Sequence, residues 1–349
     1  MPRLCDKPVD HDSNIFAIMD SCCIYRFPKT DTIYFYKGDS KKGIFPGFVI
    51  APFDLNDGIY TITDLYECNP TDISEILKSS NDASLTFPLP DLSTTEAAHH
   101  KIVKGIQNIL NGDLSKKIIA SKVIVKSGSI DLEKSFESLC ESFPEAFIFL
   151  FYTPETGIWI GASPEILLNC ENSILSTYAL AGTRPACTIG NWDDKNIKEQ
   201  AIVKNYIVDI FQSFGLTPSV SDTKTRKAGS IEHLLTEIIS PLDASNNIVE
   251  ILRALSPTPA LSGYPKEMAM QAIKMLEDQP RGYYGGFIGP YKNAEDFNFF
   301  VNLRSIRIAA GRYCMHVGGG ITALSDAKEE WIETERKAAS IFSSLKLKN

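Results

Sequence analysis

Residues 146–170 read AFIFLFYTPETGIWIGASPEILLNC. Two apolar runs rich in Phe, Ile and Trp flank the short segment TPETG, in which proline and glycine punctuate the chain. A connection this short returns the second strand antiparallel to the first. Outward from this pair, strand signals recur at KIIASKVIVK (117–126), EILLNC (165–170), SILSTYALAG (173–182), FNFFVNLRSIRI (297–308) and GRYCMHVGGG (311–320). Between them, helical periodicity predicts helices over 195–214, 247–255, 266–278 and 327–345. Another helix is predicted in TTEAAHHKIVKGIQNILNGD (94–113), with a Thr and Glu start and a Gly stop. Strands joined in pairs by short turns favour antiparallel sheets over a doubly wound parallel one, so the class is α+β.

Residues 13–90 carry short alternating runs broken by Gly, Pro and Asp, again strands and turns. The polar, proline-rich stretch SSNDASLTFPLPDLS (79–93) is the one candidate internal boundary, and a loop within one domain accounts for it equally. No internal repeat or low-complexity segment is found. The 349 residues are 44% hydrophobic and 22% charged, within the range of globular domains able to bury a sizeable core.

A formal net charge of -8, with no long basic run, argues against a nucleic-acid or anionic-membrane footprint. The longest apolar run, AFIFLFY, is too short to span a bilayer. The first twenty residues lack a basic segment followed by an apolar one, so no signal peptide is read there. Eight cysteines without CxxC or regular spacing fit free thiols. Together these features predict a cytoplasmic protein.

Several residues could carry chemistry. Lys117 ends a largely apolar strand face formed with Ile119, Ser121, Val123 and Val125, where it either snorkels to water or, desolvated, has its pKa pushed towards that of a general base. Glu165 follows a proline between two strands, either as a surface turn residue or as a carboxyl kept protonated by apolar surroundings. Glu330, Glu333 and Lys337 share one helical face, as a solvated ladder or as a seat for a hard cation and an anion. The glycines 318–320 before that helix bare backbone N–H groups suited to a carboxylate, or simply form a turn or bulge. Glu199 lies beside an apolar stripe of Ile197, Ile202, Ile207 and Phe211, and Arg304 is placed within a strand. Three prolines and a glycine in ALSPTPALSGYPKE (254–267) set a shaped connection between two helices.

The ordered set KIIASK, GASPE, LAGTRP, PTPALSGYP, YYGGFIG, VNLRSIRI, VGGGI and EEWIETERKA resembles the chorismate-utilising enzymes, and among them the isochorismate synthases, over roughly residues 91–345. The resemblance implies one large domain in which two antiparallel sheets with outer helices enclose a central cleft. Residues 1–90 form the variable N-terminal part of the fold, and 91–349 the chorismate-binding catalytic region. By the same resemblance Lys117 activates water for attack on C2 of chorismate, and Glu165 protonates the departing C4 hydroxyl. Glu199 and Glu333 hold Mg²⁺, with Glu330 supporting it through water. Arg304, Lys337, Tyr284 and the backbone of Gly318, Gly319 and Gly320 receive the substrate's carboxylates. Gly182 and Thr183 line the cleft, His233 stands near the substrate, and Ala260 and Leu261 form the wall against the ring.

Three positions refine the expectation. Lys117 stands where anthranilate synthases carry glutamine, which implies water in place of ammonia and no glutaminase subunit. Ala181 replaces the lysine of aminodeoxychorismate synthases, and Ala260–Leu261 replaces the Thr–Ala of salicylate synthases. Ser256 departs from the family pattern, where a histidine often precedes PTPA. The implied activity is Mg²⁺-dependent interconversion of chorismate and isochorismate by a monomer, feeding menaquinone or siderophore biosynthesis. The alternatives are a salicylate synthase and a catalytically silent chorismate binder.

Overall fold

The computed structural model describes residues 20–79, 87–228, 231–243 and 246–348. The strands are β1 (Ser21–Arg26), β2 (Ile33–Lys42), β3 (Gly47–Ala51), β4 (Tyr60–Glu67), β5 (Lys117–Ser127), β6 (Phe147–Thr153), β7 (Gly157–Ser163), β8 (Ile166–Glu171) and β9 (Ile174–Pro185). They continue as β10 (Ser219–Val220), β11 (Lys224–Ala228), β12 (Ile231–Pro241), β13 (Gly263–Tyr264), β14 (Phe287–Asn293), β15 (Asp296–Val301), β16 (Ser305–Ala309) and β17 (Arg312–Ile321). The helices are α1 (Pro70–Ser79), α2 (Glu96–Leu110), α3 (Leu132–Ser142), α4 (Asp194–Ser213), α5 (Ile248–Leu255), α6 (Lys266–Leu276) and α7 (Ala327–Phe342).

Every strand pairing is antiparallel, and β6 and β7 form the hairpin expected around TPETG. Two long runs of strands result. One is ordered β13–β5–β17–β16–β7–β6–β1–β2. The other is β3–β14–β15–β8–β9–β12, with β10 and β11 on the far edge of β12. The two expected sheets are not separate, because β4 pairs with both β2 and β3 and joins the runs into one network. Residues 21–67 are thereby wired into both runs.

The lack of polar alternation in β6 follows from its position, since both faces are covered. Phe147, Phe149 and Phe151 face the other run, where they meet Phe48, Ile50, Ile288 and Phe300. Phe147 stacks on Phe300 with ring centroids 4.1 Å apart. The alternate residues Ile148 and Leu150 face a layer of α1, α3 and α7 through Ile73, Phe136, Leu139, Ala338 and Ile341. On the second run α4 buries its apolar stripe over β9 and β12, with α5 packed on α4, while α2 and α6 pack on β5 of the first run.

Helix starts follow local chemistry. Thr95 accepts from the Ala98 N–H at α2, and Asp326 accepts from Lys328 and Glu329 N–H groups at α7. The stripe read on α4 is corrected: Ile197 is exposed, and the buried positions are Gln200, Val203, Ile207 and Phe211. Gln200 is tolerated there because its amide donates to Thr236 Oγ1 at 2.7 Å. The segment 297–308 is not one strand but breaks at 302–304, where the chain changes run. Residues 1–19, and 80–86 within the polar stretch 79–93, lie outside the described residues.

Candidate active site

Two crossovers between the runs build the core of the site. The chain leaves β7 in the first run and enters β8 in the second through Pro164 and Glu165. It returns from β15 to β16 through Asn302, Leu303 and Arg304. The crossovers are laced together: Val301 N–H donates to Glu165 O at 2.9 Å, Ser163 Oγ to Val301 O at 2.6 Å, and Ala162 N–H to Arg304 O at 3.2 Å. Arg304, at φ 49°, is therefore not a strand residue as expected; it turns out of the sheet beside Glu165. Burial pushes the Glu165 carboxyl up to about 7, against the opposing pull of Lys117 and Arg304.

Lys117 opens β5 and is buried, so it does not snorkel to water. Across the ladder Gly318, Gly319 and Gly320 pair with Ser121, Ala120 and Ile119. The glycines are thus part of a strand, not a bare turn. Their small size has a separate use: a Cβ on Gly320 would stand 3.1 Å from Lys117 Cδ, and one on Gly319 would stand 2.9 Å from a Glu330 carboxylate oxygen. Pairing of β17 with β16 stops at Met315, which leaves the next residues one open edge. There the Gly318 N–H meets the Tyr284 hydroxyl, and Gly318 O accepts from Lys337 Nζ at 3.1 Å. By two-residue alternation Gly320 turns its N–H to the same edge. Tyr284 itself is held at the returning crossover, since Gly285 N–H donates to Asn302 O and Asn302 N–H to Gly286 O.

The opposite wall comes from β9 and β12. Their register shifts between His233 and Leu234, bulging out Gly182 at φ 73°. His233 Nδ1 lies 2.9 Å from Gly182 O. Burial holds the imidazole pKa down and the Gly182 carbonyl opposes this, while Arg304 and Lys337 are near enough to add to the lowering. The backbone of Thr183 pairs with His233, but its side chain lies outside the described residues.

The proline-rich connection 256–262 is a tight turn in which Leu261 and Ser262 N–H groups both donate to Thr258 O. Leu261 is buried beside Gly285, Ala260 is half-buried, and Ser256 is the buried C-cap of α5. Two residues overlooked in the sequence bolt this wall down: Lys266 Nζ donates to Ala254 O and Ser256 O, each at 2.8 Å, and Tyr206 to Ala254 O at 2.6 Å. A buried Arg281–Glu277 pair was overlooked as well. Glu277 takes two bonds from Arg281 and two from Ser121, while Arg281 also donates to Leu261 O and Ile119 O. One ion pair thus sets the spacing of the wall from the strand that carries Lys117. The i, i+4 acid–arginine spacing was its sequence signal.

The carboxylates expected to hold a metal are not gathered. Among the described residues no three His, Cys, Asp or Glu side chains converge at metal-holding distance. Glu333 closes on Lys337 at 2.7 Å, Glu330 leans over Gly319, and Glu199 is half-buried on α4. A divalent ion at this set would need the Glu333 carboxylate to leave Lys337.

The sequence profile described as chorismate binding enzyme matches residues 71–346. An isochorismate synthase MenF from Haemophilus influenzae is 30% identical over 256 residues, covering 69% of this chain and 58% of that protein. An anthranilate synthase component 1 from Saccharolobus solfataricus is 25% identical over 314 residues, or 85% of this chain and 72% of its own. Thus the chain spans under two thirds of the length of the MenF relative. Among solved structures, the menaquinone-specific isochorismate synthase MenF of Escherichia coli superposes with a TM-score of 0.76 at 19% identity, over 93% of this chain and 88% of that one. Anthranilate synthase component I of Streptococcus pneumoniae gives 0.66 at 16% identity, over 97% and 95%. At such identities the superpositions show the fold. With the profile spanning most of the length, the chain belongs to the chorismate-binding enzyme family.

Proposed function

We propose that the protein is an isochorismate synthase, adding water at C2 of chorismate with loss of the C4 hydroxyl. The observation that carries this reading is the pairing of a buried lysine with a carboxyl whose pKa is pushed up to about 7, close enough that the Lys117 charge acts on Glu165. Near neutral pH a large share of Glu165 is protonated and can deliver a proton to the leaving hydroxyl. Lys117, once it has given up its own proton, accepts one from the incoming water. Arg304, Tyr284, Lys337 and the Gly320 N–H offer donors to the two carboxylates of the substrate.

Mg²⁺ dependence is part of the proposal, with Glu199, Glu330 and Glu333 as the acids. It requires Glu333 to exchange its Lys337 partner for the ion, which would offset the negative charge of enzyme and substrate. We further assign a cytoplasmic, monomeric enzyme without a glutaminase subunit, supplying menaquinone or siderophore synthesis. The seven described cysteines, all unpaired, fit a reducing compartment. No described helix is long and apolar enough to cross a membrane.

The test is incubation of the protein with chorismate and Mg²⁺, with and without EDTA, and chromatographic separation of the products. Isochorismate in equilibrium with chorismate, lost on chelation, is the expected result. Salicylate with free pyruvate would move the protein to that branch, and binding without conversion would refute the assigned chemistry. Glu333→Gln should raise the Mg²⁺ requirement; an unchanged requirement removes Glu333 from the ligand set.

A further inference from the structure

Residues 281–286 read RGYYGG, and Gly282 and Gly285 take positive φ, 58° and 81°. Tyr284 therefore leaves a turn whose backbone is permissive, and its ring is fixed by what it touches. The adjacent Tyr283 lodges edge-on against Trp159 and Phe87 in the core. Tyr284 is held instead by two residues of β17. Its ring stacks on His316, with centroids 5.4 Å apart and planes 18° from parallel, and its hydroxyl oxygen accepts from the Gly318 N–H.

His316 and Gly318 are two residues apart in a strand, hence on one face. Tyr313, Met315 and Val317 turn to the helix layer, so Cys314, His316, Gly318 and Gly320 turn the other way. That face is the one that carries Lys117, which lies against Gly320. Because Gly320 and Gly318 present no side chain, His316 is the first side chain beyond this bare stretch.

His316 is 6% exposed and its Nδ1 is buried without a hydrogen-bond partner, so what the ring supplies to Tyr284 is its flat face. Burial first, then Arg281 and Arg307, hold the imidazole pKa down to about 3, and the ring is neutral at working pH. Burial likewise pushes the Tyr284 hydroxyl up to about 12, so it keeps its proton. With the oxygen accepting from Gly318, that O–H is left to donate into the cleft.

We propose that His316 is the positioning residue for Tyr284: its face fixes the tyrosine ring so that the O–H is aimed at a carboxylate of the bound substrate. The imidazole itself touches no substrate. The inference rests on the reading that Tyr284 offers its hydroxyl to chorismate, and it holds whichever product is formed.

The test measures the Kd for chorismate by calorimetry on the full chain. Binding is read in place of turnover, so a failure of the assigned reaction is told apart from a failure of this inference. His316→Leu, which keeps an apolar side chain of similar bulk but removes the flat ring, should weaken binding by about tenfold. His316→Phe, which keeps the stack, should bind within about twofold of wild type. Tyr284→Phe keeps the stack and removes the hydroxyl, and in that background His316→Leu should have no further effect, an outcome that a general loss of packing does not produce. If His316→Leu does not fold, His316→Met takes its place in the cycle. Equal weakening by the position-316 variant in both backgrounds, or His316→Phe as weak as His316→Leu, would overturn the proposal. An unaltered Kd in Tyr284→Phe would remove Tyr284 from the carboxylate contacts and the proposal with it.

Discussion

Glu165→Gln separates the electrostatic setting of the carboxyl from its proposed role. In the folded chain burial raises this pKa from 4.5 to about 7. At about 1.36 kcal/mol per pH unit, the full displacement corresponds to roughly 3 kcal/mol. A folded-state pKa above the unfolded value gives stability that is complete below the unfolded pKa and is lost as pH rises through the folded one. The wild type should therefore lose about 2–3 kcal/mol between about pH 5 and pH 8 from this group alone. Glutamine mimics the protonated carboxyl and cannot ionise, so the variant escapes that loss. Urea unfolding of both proteins across this range measures it: the variant should be near wild-type stability at the acid end and more stable at the alkaline end. The same variant should show no turnover of chorismate. A stability difference that stays flat with pH would refute the buried, proton-retaining carboxyl, and retained turnover would refute its role as acid.

Lys117→Met removes a charge that holds the Glu165 pKa down. The pH at which stability breaks should move above that of the wild type, with turnover abolished; an unmoved break denies the electrostatic contact. Gly320→Ala places a methyl group 3.1 Å from Lys117 Cδ. It should lower kcat by an order of magnitude or more while changing stability by about 1 kcal/mol, a typical single-substitution effect. Unchanged kcat would mean that the lysine stem shifts without consequence. Glu277→Gln leaves Arg281 buried with a weakened partner and should cost about 3–5 kcal/mol in urea unfolding. A loss below about 1 kcal/mol would show that the pair does not tie the wall to β5.

What local pattern controls was legible in the chain. The hairpin around TPETG, the α2 cap at Thr95 and the helices flanking 256–265 come from period, punctuation and capping, which act within a few residues. Motif order likewise brought out Lys117, Glu165 and the glycine strand. Other features depend on partners distant in sequence. Arg304 reads as part of the run FNFFVNLRSIRI, yet becomes a crossover residue because β15 and β16 belong to different strand runs. The apolar stripe of α4 shifts from Ile197 to Gln200 because a polar partner, Thr236, waits on β12. The Glu277–Arg281 pair matters because its bonds reach Ile119, Ser121 and Leu261. Sequence by itself marked local elements such as the β6–β7 hairpin, α2 and α7, and supplied the residue types available for acid, base and anion recognition. Tertiary structure decided how dry those residues are and what charges they face, and hence the proton affinity of Glu165, because desolvation and Coulomb interactions are set by distance in space.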